Sequence, residues 1–170
     1  MNEVTIYKDW AEIAIGIQNN WLDYRQLTHW ADTGTVLCLS AERYADVYWA
    51  EKGERETVLR LLRDFIKQDY GVEIPMNRED LEIDYRLEVF QKGLKIWEYK
   101  FLRTIYLSDK EISEKIDNDI HYLWMDFMYF NVDWDNFIWI YAYRLNIGEQ
   151  ELYNNFEKHL QNLYTYLMER

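Results

Sequence analysis

The feature that most constrains the fold is an apolar stripe. Val58, Leu61, Leu62, Phe65, Ile66 and Tyr70 recur at helical spacing, and Gly71 follows the last of them. Residues spaced in this way line one face of a helix that must be buried, and a glycine just past the end supplies the left-handed residue that closes it. The same pattern, bracketed by starts and stops, recurs along the chain. Asp9 with Glu12 reads as a capping box before Trp10, Ile13, Ala14, Ile17 and Trp21. Asp23 is placed to cap a second helix with Leu27, Trp30 and Ala31 inward and Gly34 beyond its end. Ser40 opens a third, whose Tyr44, Val47 and Tyr48 share a face, and Gly53 closes it.

Pro75, the only proline, disfavours helix at Ile74 and predicts an extended connection. Asn77 is then placed to cap a long helix over 78–107, with Phe90, Leu94, Trp97, Phe101 and Ile105 inward and Gly93 as a bending point. Ser108 to Glu111 reads as a second capping box, followed by the stripe Ile112, Ile116, Ile120, Leu123, Phe127 and Phe130. Asp133 is placed to cap a helix over 134–144, and a last helix over 149–169 carries Leu152, Phe156, Leu160, Leu163 and Leu167. Strand character is confined to the short runs 35–39 and 71–74. These patterns predict a single all-α domain over 1–170, of seven or eight helices in layers or a bundle, its short loops favouring antiparallel neighbours.

The stretch "YLWMDFMYFNVDWDNFIWIYAY", residues 122–143, is nearly all apolar and aromatic, yet it contains Asp126, Asp133 and Asp135. Carboxylates in mid-span would each cost roughly 2.5 kcal/mol or more in a bilayer, so no membrane span is expected. The start of the chain lacks a basic region followed by an apolar run, and the cytoplasm is the expected compartment. A single cysteine, Cys38, within an apolar run, fits a reducing compartment and a buried, inert thiol.

The formal charge of −12 argues against nucleic acid, whose phosphates require a basic stripe. Half of that charge is concentrated in one place. Ser108 to Asn136 holds eight acids against Lys110 and Lys115, a local charge of −6. On a helical wheel Tyr122, Asp126 and Tyr129 fall opposite the apolar stripe, in company with Glu111 and Lys115, while Met125 and Met128 widen the apolar coverage so that the late helix is contacted all round. Asp126 then reads either as a part-buried carboxylate held by a tyrosine, Arg103 or Arg144, or as the acid at the centre of an aromatic binding face.

Motifs for chemistry are few. None of His29, His121 and His159 follows a glutamate at the di-iron spacing, and the pairs Asp117/His121 and His29/Asp32 are too common on helix surfaces to mark a metal site. The chain has no phosphate-binding glycine loop, no G-x-S-x-G elbow and no Cys-x-x-Cys pair, so no catalytic residue, cofactor or metal is expected. The acidic aromatic segment instead predicts a non-enzymatic interaction protein, with Glu111, Glu114, Tyr122, Asp126 and Tyr129 meeting a basic protein partner such as a toxin bound by its immunity protein. The alternative is a small-molecule-binding domain or enzyme with an aromatic-lined pocket.

Two segments, "WAEIAIGIQNNWLDYRQLTHWA" and "IHYLWMDFMYFNVDWDNFIWIY", are similar to a family of bacterial proteins, the domain of unknown function DUF2247. Trp124, Asp126, Phe127 and Tyr129 match that family's aromatic, acid, Phe, x, Tyr core, and Phe130 stands where proline is expected. The resemblance implies an all-α bacterial cytosolic domain with no established catalytic residues.

Overall fold

The computed structural model of the chain describes residues 9–32, 40–130, 132–138 and 146–169. The fold is all-α, as the apolar stripes predict, with one two-stranded hairpin among the described residues. The chain divides into two compact units, and the boundary falls between Trp97 and Glu98.

The first unit is built on α1 (Trp10–Gln18), in which every residue from Trp10 to Ile17 is buried. Asp9 caps it through a 2.8 Å bond from the Ala11 backbone N–H, and the Tyr70 hydroxyl donates to the other Asp9 oxygen. Beyond it, Asp23 accepts the Arg25 N–H to start the 3₁₀ turn Tyr24–Gln26, which runs into α2 (Leu27–Asp32). Ser40 caps α3 (Ala41–Glu51), in which Val47 is buried but Tyr48, expected on the same face, is exposed. Next, α4 (Arg55–Tyr70) buries Val58, Leu59, Leu62, Phe65 and Ile66 and ends at Gly71 with φ of 68°, the left-handed closure expected of that glycine. α1 packs on α4, with Trp10 and Phe65 ring centroids 4.8 Å apart.

The long helix predicted from residue 78 starts later. Met76–Asn77 (β1) and Asp80–Leu81 (β2) pair antiparallel, with Arg78 at φ of 58° in the turn. The pair is held from outside. Gln18 Oε1 accepts the Leu81 N–H at 2.7 Å, and one Arg55 guanidinium donates to Asp80, the Glu79 carbonyl and the Gln18 carbonyl at the end of α1. These tertiary bonds divert Asn77 from a capping role. α5 (Glu88–Leu107) follows. Gly93 permits a close approach here: an added Cβ would lie 2.9 Å from Ile15 Cδ1 and 3.4 Å from the Glu12 backbone. Trp97 Nε1 donates to the Glu12 carbonyl at 2.7 Å in the same region. Of the two runs expected to have strand character, 71–74 forms none, and 35–39, with Cys38, lies outside the described residues.

In the second unit, Ser108 does not open a helix. Its hydroxyl bonds back to the Ile105 carbonyl at 2.8 Å and closes α5, and Glu111 becomes the N-cap of α6 (Ile112–Glu114). A π-helical turn, Lys115–Ile120, leads into α7 (His121–Phe127) and the 3₁₀ turn Met128–Phe130. Asp133 is exposed, and Trp134 to Phe137 form a turn closed by Phe137 N–H to the Trp134 carbonyl at 3.1 Å. The rest of the helix expected there lies outside the described residues. α8 (Glu149–Met168) buries all five residues of its predicted stripe and packs against α6 and the π turn. No helix among the described residues is long and apolar enough to cross a membrane.

Candidate functional site

The outward face of α7 is set by what its inward face holds. Phe127 is fully buried, stacked on Trp134 at 5.2 Å, with Phe101 at 6.0 Å and Phe130 at 5.7 Å. Ile116 and Ile120 continue the same side through the π turn. With that face fixed, residues three and four positions apart on the other side stand together. Tyr122 is 66% exposed, Tyr129 85%, and Met125 and Met128 about half, and Asp126, four positions after Tyr122 and three before Tyr129, is exposed too.

This corrects two expectations. The methionines do not complete an all-round apolar contact, and Asp126 is not a part-buried carboxylate. The wheel places Tyr122, Asp126 and Tyr129 outward, and all three are exposed, Tyr129 in the 3₁₀ turn after α7. It fails at Lys115, expected outward and found buried, its Nζ donating to the Tyr106 carbonyl at 2.9 Å and standing 5.9 Å from the Tyr153 ring. The cause is the π turn, whose i→i+5 bonds change the angular step on which the wheel depends.

The acids are distributed around this face with one local neutralisation. Glu111 and Glu114 are both exposed. Lys110 Nζ lies 2.8 Å from Asp119 and 3.4 Å from Glu114, and these carboxylates, Asp119 foremost, hold the ammonium above its ordinary pKa. Both lysines of the acidic segment are thus bound within their own fold, while Asp109, Glu111, Asp117, Asp126, Asp133 and Asp135 remain exposed.

The second unit also contains a polar cluster that local spacing does not reveal. Glu98, 4% exposed, lies 2.7 Å through Oε1 from His159 Nε2 and accepts a bond at the same oxygen from the buried Trp134 Nε1. The His159 ring rests 4.8 Å from Phe137. A signal was present in the sequence: Glu98 stands four residues from both Leu94 and Leu102, a carboxylate inside an apolar stripe. Such a group needs a partner when buried.

In the first unit, a concavity of about 460 Å³ opens beside Asn20, Trp21, Tyr24, Arg25 and Arg55. Its charged groups are engaged by the fold. Asp23 pairs with Arg25 at 2.9 Å, and Arg55 is spread over the hairpin and the end of α1. Among the described residues, no three or more His, Cys, Asp or Glu side chains converge as a metal site would require.

No protein-family model, curated protein or solved structure matches the chain.

Proposed function

We propose that this is a cytoplasmic, non-enzymatic interaction protein that holds a basic protein on the acidic and aromatic face of α7, in the manner of an immunity protein bound to its toxin. One observation carries the reading: Tyr122, Met125 and Tyr129 are exposed on the side that carries the exposed Asp126, away from the buried Phe127. Contiguous exposed apolar side chains rimmed by charge mark a surface that another molecule covers. Tyrosine and methionine are enriched at such interfaces because they supply large contact area on adaptable or low-entropy side chains. The surrounding carboxylates favour a basic partner by speeding encounter and opposing acidic competitors. The similarity to DUF2247 is in keeping with an all-α bacterial protein of this kind.

The two contributions are separable by experiment. Affinity capture with the intact chain, repeated with the paired change Glu111→Lys and Glu114→Lys and with Tyr129→Ala, identifies any basic protein whose retention depends on this face. Surface-plasmon kinetics at two salt concentrations then read each contribution. The charge reversal lowers the association rate and flattens its salt dependence, since exposed charges are screened beyond ~8 Å at physiological ionic strength. Tyr129→Ala raises the dissociation rate on the order of tenfold, the equivalent of ~1.4 kcal/mol. Capture that is unchanged by either variant places the partner site elsewhere.

A further inference from the structure

We propose that Tyr122, Asp126 and Tyr129 form an anchor for a single arginine side chain of the partner, selective for guanidinium over ammonium. This rests on the interaction-face reading above and names the chemistry that the face takes. Asp126 follows Tyr122 by four positions and precedes Tyr129 by three, the spacings at which side chains of a helix are neighbours. The result is an exposed carboxylate with one exposed tyrosine a turn before it and another a turn after it.

A guanidinium satisfies all three groups at once. It is planar, presents paired N–H donors that match the two oxygens of a carboxylate, and lies flat against an aromatic ring because its faces are weakly hydrated. An ammonium is a compact, strongly hydrated point charge that would pair with Asp126 and leave the rings unused. Met125, about half exposed, lies three positions after Tyr122 and four before Tyr129 and offers apolar surface on that side for the aliphatic stem of the arginine. The lysines of the acidic segment do not compete, since Lys110 is held by Asp119 and Glu114 and Lys115 is buried against the Tyr106 carbonyl.

The test uses the intact chain and three blocked peptides of one length that carry three arginines, three lysines or three citrullines. Citrulline keeps the planar shape and loses the charge. Binding is followed by NMR on the ring signals of Tyr122 and Tyr129. The arginine peptide is expected to shift both rings and to bind on the order of fivefold tighter than the lysine peptide, the yield of an exposed cation–π contact; the citrulline peptide should bind more weakly than either. Tyr129→Ala should bring arginine binding down to the lysine level while leaving lysine binding within about twofold, and Asp126→Asn should weaken both peptides, with far-ultraviolet spectra confirming that the variants are folded. Equal binding of arginine and lysine peptides overturns the anchor and leaves a charge-steered interaction face standing. If no peptide moves the rings while capture still depends on Glu111 and Glu114, the anchor fails and the wider face remains. Failure of both peptide binding and face-dependent capture removes both readings.

Discussion

His159 Nε2 lies 2.7 Å from Glu98 Oε1, joining residues 61 positions apart at a carboxylate that is 4% exposed. The same oxygen accepts the indole N–H of Trp134, itself fully buried. One carboxylate therefore ties α5, the turn after α7 and α8 together. Glu98→Ala would strand the Trp134 donor, and an orphaned buried group costs about 1–3 kcal/mol. His159→Ala leaves the Trp134 bond in place and should cost less. Urea unfolding of both variants and of the double variant measures the Glu98–His159 coupling; strictly additive losses would show that this pair contributes no interaction energy.

Gly16 and Gly93 are predicted to respond differently to alanine. A Cβ at Gly16 would lie 2.4 Å from Trp97 Cζ2. The Trp97 ring is pinned, because its Nε1 is bonded to the Glu12 carbonyl at 2.7 Å and the Trp21 ring centroid is 5.7 Å away. Overpacking of this kind costs about 1–3 kcal/mol. At Gly93 the nearest atom, 2.9 Å away, is the terminal Cδ1 of Ile15, which can rotate aside. Alanine is also the better helix former by about 1 kcal/mol, so Gly93→Ala should be nearly neutral. Melting temperatures of the two variants rank them, and equal losses would mean that Trp97 moves as easily as Ile15.

How much of this was legible depends on whether a residue's fate was decided locally. The stripes of α4 and α8 and the caps Asp9, Asp23 and Ser40 could be read because helix period and cap chemistry act within a few residues. Asn77 and Ser108 depart from their cap patterns for different reasons. Gln18 and Arg55, distant in sequence, secure the hairpin that takes Asn77, and the Ser108 hydroxyl found a carbonyl behind it in place of an amide ahead. Of the candidate face, the outward placement of Tyr122 and Asp126 was legible because α7 is regular, and Tyr129 is exposed in the 3₁₀ turn that follows. Lys115 was not legible, because a π turn breaks the period, and the Glu98–His159 pair is tertiary altogether.

Asp84 and Tyr85, adjacent in sequence, are predicted to shape opposite limbs of the pH-stability profile. Side-chain and backbone hydrogen bonds from Arg86 hold the Asp84 carboxyl down at about 2, against an ordinary 3.8. A depressed folded value contributes stability above the unfolded one, and that contribution fades as pH falls from 3.8 toward about 2. Burial pushes the Tyr85 phenol above its ordinary 10.0, partly countered by the bond from Asn19. A raised folded value contributes stability fully below pH 10 and loses it as pH rises through the folded value. Asp84→Asn should flatten the acid limb and Tyr85→Phe the alkaline limb. Carboxyl-carbon NMR that finds Asp84 titrating near 3.8 would remove the first of these.

The last prediction separates the core side of α7 from its exposed side. Phe127 is fully buried among Trp134, Phe101 and Phe130, and Phe127→Ala should cost roughly 3–5 kcal/mol through lost transfer energy and the cavity that remains. Leu123, expected to be as deeply buried, is only half-buried, so Leu123→Ala should fall short of the ~2–5 kcal/mol of a fully buried leucine. Tyr129, 85% exposed, removes almost no buried surface when truncated, and Tyr129→Ala should leave stability within about 0.5 kcal/mol. Chemical denaturation of the three variants should therefore rank Phe127 first, Leu123 second and Tyr129 last. This order matters for the interaction face, because Phe127 fixes the rotation of α7 and so the outward direction of Tyr122, Asp126 and Tyr129. If Phe127→Ala costs less than ~1 kcal/mol, another contact sets that rotation, and the face must be sought on a different side of the helix.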